Sequence, residues 1–452
     1  MTAAAASAPT ASFRSDLGEL LRLAGPVIAA RIGIMVMGLT DAVVVGRYSA
    51  TELGYHALGW APTSVLLTTG VGLLLGVQVL TSQAIGEGKG AAAGIFLRRG
   101  IVYASQIGIG SAVLLFALGP ALLGALRLEP DLARGAARAL QVFSLSLPPY
   151  LIAVACSFFL EATRRAAPAM IIMWSANLLN LLLNLLLVPG TFGLPAFGAV
   201  GSAWATFGAR AALMIMSLTY IARLPEARGL FTRSPRDRRA EAAQRRIGYA
   251  AGASYAIEVG AFAGMNFVAA WVSQLAVAAY AVVLNITAVI FMVPLGLAGA
   301  TAVLVGRAYG ARDRSGVYRA GVTGFIVCAV LAALIALIVW PLSPLLVSAY
   351  TTEPELVALA AVALALCTIF FIVDALQVVA AQALRARGDI WLPTAMHLLS
   401  YGVIMIPLGW ALAIPLGGGL NGIVWGIIIA SFVSAALLLG RWAWLSRRPL
   451  PA

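Results

Sequence analysis

Charge is what this sequence has least of. Only 10% of its 452 residues are Asp, Glu, Lys or Arg, while 62% are hydrophobic; ordinary soluble domains carry about 25% charged residues. So much apolar surface cannot be hidden behind so little charge, which excludes a soluble fold and makes lipid the solvent for most of the chain. Lysine is nearly absent, Lys89 being alone among 30 basic residues. Histidine occurs twice, as His56 and His397, and no His-Glu-x-x-His, Gly-x-Gly-Asp or Ser-His arrangement is present, so the sequence offers no intramembrane enzyme motif. The three cysteines, Cys156, Cys328 and Cys367, lie inside apolar runs. An odd count at such spacing builds neither a disulfide framework nor a zinc site; these are small buried hydrophobes. Acidic charge is outnumbered, 17 against 30, for a net +13. Such an excess can serve nucleic acid. Here the bases sit in short clusters between long apolar runs, so the expected partner is the anionic membrane leaflet and no nucleic acid.

What is present is a series of apolar runs of spanning length. A membrane helix needs about 20 largely apolar residues. Such stretches occur at 23–46, 57–85, 99–120, 139–161, 168–189 and 198–222, and again at 248–273, 276–306, 320–342, 356–384, 392–414 and 420–444. Leu178 to Val188 and Val327 to Val339 show no period-two alternation, which excludes outer-membrane strands. The reading is an all-α membrane protein of about twelve transmembrane helices. With the N-terminus inside, 24 bases fall on the cytoplasmic side, including Arg385 and Arg387, and four, Arg47, Arg127, Arg134 and Arg138, fall outside. Arg31 and Arg210 are within spans. This bias orients the chain with both termini cytoplasmic. Residues 1–22 lack an apolar core, so a cytoplasmic tail is expected there rather than a signal peptide. A second short tail is expected at 445–452.

The one long polar segment, Leu224 to Arg246, contains Pro225 and Pro235 and divides the spans six and six. It predicts a cytoplasmic connector over 223–247 between a first half, 23–222, and a second, 248–444. The halves repeat. Gln83-Ala84-Ile85-Gly86 corresponds to Arg307-Ala308-Tyr309-Gly310, 224 positions later, and Gly198-x-x-Gly201-x-x-Trp204 to Gly419-x-x-Gly422-x-x-Trp425, 221 positions later. Pro168 and Pro393 open the fifth and eleventh spans. Six is even, so both halves share one orientation, related by a pseudo-two-fold axis along the membrane normal, as in transporters that rock about a central site.

Ionisable residues inside lipid cost about 2.5–3.5 kcal/mol each on insertion scales and mark function. Three acids stand out: Asp41 in the first span, Glu258 in the seventh and Asp374 in the tenth. A carboxyl that switches between neutral and charged carries a proton, and as a carboxylate binds Na⁺ or an organic cation. Glu258 and Asp374 both lie roughly 15 Å from the inner boundary, so one cation can be shared. Asn177, Asn180 and Asn184 occupy one face of the fifth span and are expected to face Asp41. Tyr255 and Gln377, each within a turn of an acid, are candidates to complete its shell, with Asn266 and Asn285 weaker ones. Arg31, near a span end, is expected to snorkel; Arg210 needs a partner that the sequence does not name. His56 reads as a loop residue, and His397 as hydrogen-bonded packing.

At these residues a resemblance becomes clear. Pro26…Asp41-Ala-Val-Val-Val-Gly46-Arg47, Asn180-Leu-Leu-Leu-Asn184…Gly193-x-Pro195-x-x-Gly198-x-x-Gly201, Glu258, Phe291-Met-Val-Pro294-Leu-Gly296, Val305-Gly306-Arg-Ala-Tyr-Gly310 and Asp374-Ala-Leu-Gln377…Asp389-x-x-x-Pro393 together resemble the multidrug and toxic compound extrusion (MATE) transporters, in their NorM-like branch. The resemblance covers nearly all of residues 20–440. It implies two six-helix lobes in a V and alternating access. It also implies antiport of cationic or amphipathic small molecules against H⁺ or Na⁺, no cofactor, a bacterial inner membrane and a monomer. Asp41 becomes the N-lobe acid, and Glu258 and Asp374 the C-lobe cation-site acids that would hold Na⁺. Two positions depart: Phe370 stands where an aromatic hydroxyl is expected, and Leu160-Glu161-Ala-Thr-Arg164 replaces an arginine-glycine element. The runner-up, a lipid-linked oligosaccharide flippase of the same superfamily, would line its lumen with several bases.

Overall fold

The computed structural model describes residues 13–125, 129–191, 193–231 and 237–450. Residues 1–12 of the expected tail, Arg127, and Arg233, Pro235 and Arg236 of the connector lie outside the described residues, as do 451–452. Among the described residues the regular elements are all helical, and twelve helices are long and apolar enough to cross a membrane. They are α1 (Phe13–Tyr48), α2 (Ala50–Gly86), α3 (Gly90–Ala125), α4 (Pro130–Ala162), α5 (Ala166–Leu187) and α6 (Gly198–Ala222), then α7 (Arg238–Val272), α8 (Gln274–Gly310), α9 (Arg314–Ser348), α10 (Pro354–Ala386), α11 (Leu392–Ala413) and α12 (Gly419–Ser446).

Several helices overrun the apolar runs that announced them. Hydropathy locates a hydrocarbon core, whereas capping and propensity decide where a helix starts. The segment Arg238 to Arg246 is too polar to read as a span, yet it is rich in Arg, Ala, Glu and Gln, all good helix formers. Asp237 caps it by accepting from the Arg239 and Ala240 amides at 3.0 and 3.1 Å. The expected connector is therefore helical from 238 onward. At the start of α2, the Ser49 side chain accepts from the Glu52 amide. This earlier start puts His56 inside the helix, buried and edge-on to Phe143 at 5.2 Å, rather than in a loop. Likewise α10 runs on to Ala386, so Arg385, counted among the loop bases, is 1% exposed.

The 224-residue repeat is visible in the backbone. Gly88 and Arg312 close α2 and α8 in the left-handed region, with φ 75° and 55°, and Arg164 and Gly388 do the same for α4 and α10, with φ 61° and 93°. Behind each pair the same capping bond recurs: Lys89 N to Ala84 O and Asp313 N to Ala308 O, both 2.9 Å, then Arg165 N to Leu160 O at 2.7 Å and Asp389 N to Leu384 O at 3.0 Å. These bonds satisfy carbonyls that a helix end leaves orphaned.

The halves meet where α1 packs on α8 and where α2 packs on α7 and α8. On the side carrying the arginine clusters they also exchange bonds. Gln83 Nε2 donates to Ala386 O at 2.8 Å, and Arg307 Nη2 donates to Ala162 O at 2.7 Å. Residues 83 and 307 are 224 positions apart, as are 162 and 386, so each contact is the other's symmetry mate. Self-complementary pairing of this kind is what a two-fold axis imposes. Gly86 presses on the Arg307 carbonyl and Gly310 on the Gln83 carbonyl, with no room for a Cβ at either. Arg319 adds an ion pair to Asp16 at 3.0 Å across the same junction. Gly86→Ala and Gly310→Ala should each destabilise the protein by about 1–3 kcal/mol, the usual cost of overpacking. Gly110→Ala and Gly440→Ala, which face open space, should be neutral or slightly stabilising. Thermal unfolding in detergent separates the two classes; equal melting of all four would show that the junction is loosely packed.

Candidate functional site

Asp41 is 3% exposed and is held from three directions. Asn180 and Asn184 of α5 donate to its Oδ1 at 3.0 and 2.7 Å, and Thr206 of α6 donates to Oδ2 at 2.6 Å. The α5 asparagines share a face because three and four residues bring a helix round by about one turn. Asn177 is on that face but does not reach the carboxylate. It lies level with Gly33, some two turns before Asp41 on α1, and its amide donates to Met173 O of its own helix at 3.0 Å. Thr206 was not legible in the sequence, since a span threonine usually bonds its own helix.

The partner of Arg210, one turn beyond Thr206, is a hydroxyl and two rings. Its Nη1 donates to Ser146 Oγ at 2.7 Å, and the guanidinium lies over Tyr150 at 4.6 Å and Trp60 at 5.1 Å. Ser146 sits at the break within α4, before Pro148 and Pro149.

In the second half the structure brings Glu258 of α7 and Asp374 of α10 to the two sides of one amide group. Gln377 Nε2 donates to Glu258 Oε1 at 3.2 Å and to Asp374 Oδ1 at 3.4 Å. Tyr401 Oη donates to the same Asp374 oxygen at 3.4 Å. Tyr401 belongs to a π-helical stretch of α11, Leu398–Met405, a local widening often found at functional sites; sequence patterns do not reveal it. Tyr255 does not join either carboxylate. Its hydroxyl accepts from Gln382 Nε2 at 2.6 Å. Asn266 lines the adjoining cavity, and Asn285 donates to Ala281 O of its own helix.

Glu258 and Asp374 form part of the wall of a cavity of about 400 Å³ whose other residues are mainly apolar, among them Phe262, Phe291, Met292, Phe370 and Phe371. Met35 and Thr68 complete it from the first half. The two acids are the charged groups among its lining residues, and Asp41 is not one of them. No group of three or more His, Cys, Asp and Glu side chains placed to hold a metal ion occurs among the described residues. The arrangement is two carboxylates on the wall of an apolar chamber, with the Tyr401 phenol behind one of them, oxygen donors of the kind hard cations take.

A fourth buried acid escaped the sequence reading. Glu161, in the last turn of α4, is 2% exposed. Arg31 Nη2 donates to its Oε1 and Oε2 at 3.0 and 3.3 Å, and Gln78 Nε2 to Oε2 at 2.6 Å. Arg31 therefore does not snorkel. Its guanidinium finds an acid within the bundle, and pairing there removes the need to reach the interface. The signal was the repeat itself: Leu160-Glu161-Ala162 recurs 224 positions on as Leu384-Arg385-Ala386.

The MatE family profile matches residues 26–186 and 250–411, one segment in each half. The chain is 56% identical over 442 residues to a probable multidrug resistance protein NorM of Caulobacter vibrioides, covering 97% of this chain and 94% of that one. It is 30% identical over 449 residues to the multidrug resistance protein PmpM of Pseudomonas aeruginosa, covering 96% and 93%. Among solved structures, the eukaryotic MATE transporter AtDTX14 superposes with TM-score 0.88 at 21% identity, over 96% of this chain and 98% of that one. An outward-facing MATE family transporter of the MOP superfamily gives TM-score 0.89 at 18% identity, over 96% and 97%. The chain belongs to the MATE family: it is a multi-pass membrane transporter, not an enzyme.

Proposed function

We propose that this transporter is a multidrug exporter of the bacterial inner membrane, a monomer that exchanges cationic or amphipathic small molecules for H⁺ or Na⁺. One observation carries the reading: two carboxylates share a single amide donor on the wall of an apolar, aromatic cavity. A flat organic cation gains dispersion contacts and cation–π attraction from the rings and Coulomb attraction from the acids. A proton or Na⁺ competes for the same oxygens, so drug and ion need not be held together. Binding shifts an alternating-access equilibrium only through differential affinity for its two faces, and the cavity lies where helices of both halves meet. The names of the NorM and PmpM relatives support the multidrug part of the reading. A flippase for a pyrophosphate-linked lipid would call for basic residues in the cavity, and its wall carries acids instead. Asp41, outside the cavity, would serve as the ion-linked acid of the first half.

Replacing each of Asp41, Glu258 and Asp374 by its amide keeps size and removes charge. Each should cut gradient-driven efflux in inverted vesicles at least tenfold and abolish the proton release or Na⁺ dependence that accompanies drug binding. Wild-type rates in all three would make the acids structural. Comparing a Na⁺ gradient with a pH gradient in the same vesicles identifies the ion.

Asn180→Ala removes a hydrogen bond to an ionisable group, an interaction worth about 1.5–3 kcal/mol. It should depress efflux and shift its pH or Na⁺ dependence, whereas Asn177→Ala should leave both near wild type. Identical profiles for the two variants would reduce the asparagine face to packing.

Orientation follows the arginine clusters. A cysteine at Ser315, exposed beside Arg312 and Arg314, should react with an impermeant maleimide only in inverted vesicles. One at Thr352, exposed on the opposite side, should react only in spheroplasts. The reverse pattern inverts the topology.

A further inference from the structure

Two buried arginines lie between the cavity and the junction that closes the arginine-rich side. On α8 the cavity wall runs through Phe291, Pro294 and Leu297. Gly299 comes next, its Cβ position 3.5 Å from Gln78 Nε2 and 3.6 Å from Glu161 Oε2. Arg307 of the junction follows two turns later. On α2 the same descent passes Thr68 in the cavity wall, Gln78 in the Arg31–Glu161 network and Gln83 in the junction. On α1, Met35 lines the cavity and Arg31 lies one turn nearer the arginine-rich side. The network therefore forms a layer under the cavity floor.

The second half contributes Arg385 to this layer, at the position that the 224-residue repeat equates with Glu161. Arg385 is 1% exposed and has no carboxylate at ion-pair distance among the described residues. Its Nη2 donates to Ser254 Oγ at 2.7 Å, and Ser254 Oγ shares a 2.6 Å hydrogen bond with His397 Nδ1. Its Nε has no partner. Ser254 adjoins Tyr255 of the cavity wall, and Gln382, on the same helix as Arg385, holds the Tyr255 hydroxyl. Within this layer two guanidinium groups stand against one carboxylate, Glu161, while the acid that acts on Arg385 is Glu258 of the cavity wall, beyond ion-pair distance.

Burying an arginine with no acid at ion-pair distance is costly. A fixed positive charge behind a cation-binding chamber does have a use: channels that must exclude cations place an arginine in the pathway. We propose that Arg385, with the Arg31–Glu161 pair, forms a net-positive floor beneath the cavity that keeps coupling ions and drug cations at Glu258 and Asp374 from leaking through the closed face. This rests on reading the cavity as a cation site.

The test uses purified full-length protein in liposomes and measures two things separately: drug-free H⁺ or Na⁺ leak, and exchange driven by ethidium. Arg385→Gln should bind ethidium at least as tightly as wild type, since a positive charge acting on Glu258 is removed, yet raise the drug-free leak about tenfold and lower the drug moved per ion. Arg385→Lys, which keeps the charge, should stay tight. The paired Arg31→Gln/Glu161→Gln variant leaves the net charge of the layer unchanged and should also stay tight. Where Arg385→Gln fails to reconstitute, Arg385→Met is read in the same way. An Arg385 variant that binds ethidium and leaks no more than wild type overturns the proposal. So does a paired variant that leaks as much as Arg385→Gln, because packing rather than charge would then be the barrier. Failure of wild-type protein to exchange ethidium for either ion would instead refute the functional reading, and the order of leak among the variants would still decide the role of the floor.

Discussion

A charge surrounded by hydrocarbon must find its compensation inside the protein, and the arrangement of this bundle follows from that requirement. The loss of hydration is large, and water is absent as an alternative partner. Arg31 meets it with a carboxylate, Arg210 with a serine and two aromatic faces, and Asp41 with three donors from two other helices. Each solution ties helices together, so the polar residues determine which helices must be neighbours. Apolar contact alone would leave that choice open, because lipid tails are as apolar as leucine.

Asp41 and the pair Glu258 and Asp374 answer the same requirement differently. The Asp41 carboxylate accepts three hydrogen bonds in a sealed pocket. The other two share one amide between them and border a cavity. An acid whose two oxygens both already accept hydrogen bonds resists a bulky newcomer and suits a small ion or proton. An acid pair with few donors and an open apolar side admits a large cation. Duplication therefore did not yield two equal sites. The asymmetry extends to Glu161 and Arg385, equivalent positions of opposite charge, while the backbone around them, down to the left-handed cap residues, is kept.

The twelve helices, the division into six and six and the burial of Asp41, Glu258 and Asp374 within spans were legible because hydrophobicity, arginine placement and rare intramembrane charge are each readable one residue at a time. The facing of α5 was legible as far as periodicity goes: it put three asparagines on one face, but which of them met Asp41 depended on how far α1 slides along α5. Arg31, Glu161 and Arg385 were misjudged for one reason. Glu161 and Arg385 lie at the apparent ends of spans and Arg31 about two turns inside one, close to a membrane boundary that sequence places to within a few residues only. There a base reads as snorkelling or cytoplasmic, and burial is decided by neighbouring helices that no local window contains. Thr206 and Tyr401 were invisible because a hydroxyl in a span is ordinary until a carboxylate is found opposite it.

The cavity's chemistry bears on breadth of substrate. Its rings and methionine offer attraction that depends weakly on a ligand's outline, since dispersion accumulates over many small contacts and thioether side chains adapt to irregular shapes. Directional hydrogen bonds would have imposed a single geometry, and the wall offers few of them beyond the two acids, Tyr255, Asn266 and two threonines. On the proposed function, selectivity is carried by charge, which discriminates by sign and hardly by shape. A chamber built in this way cannot use a tight fit to prevent a small ion from following a large one. The barrier against leakage has to lie elsewhere along the path, in a layer whose charge opposes cations of every size.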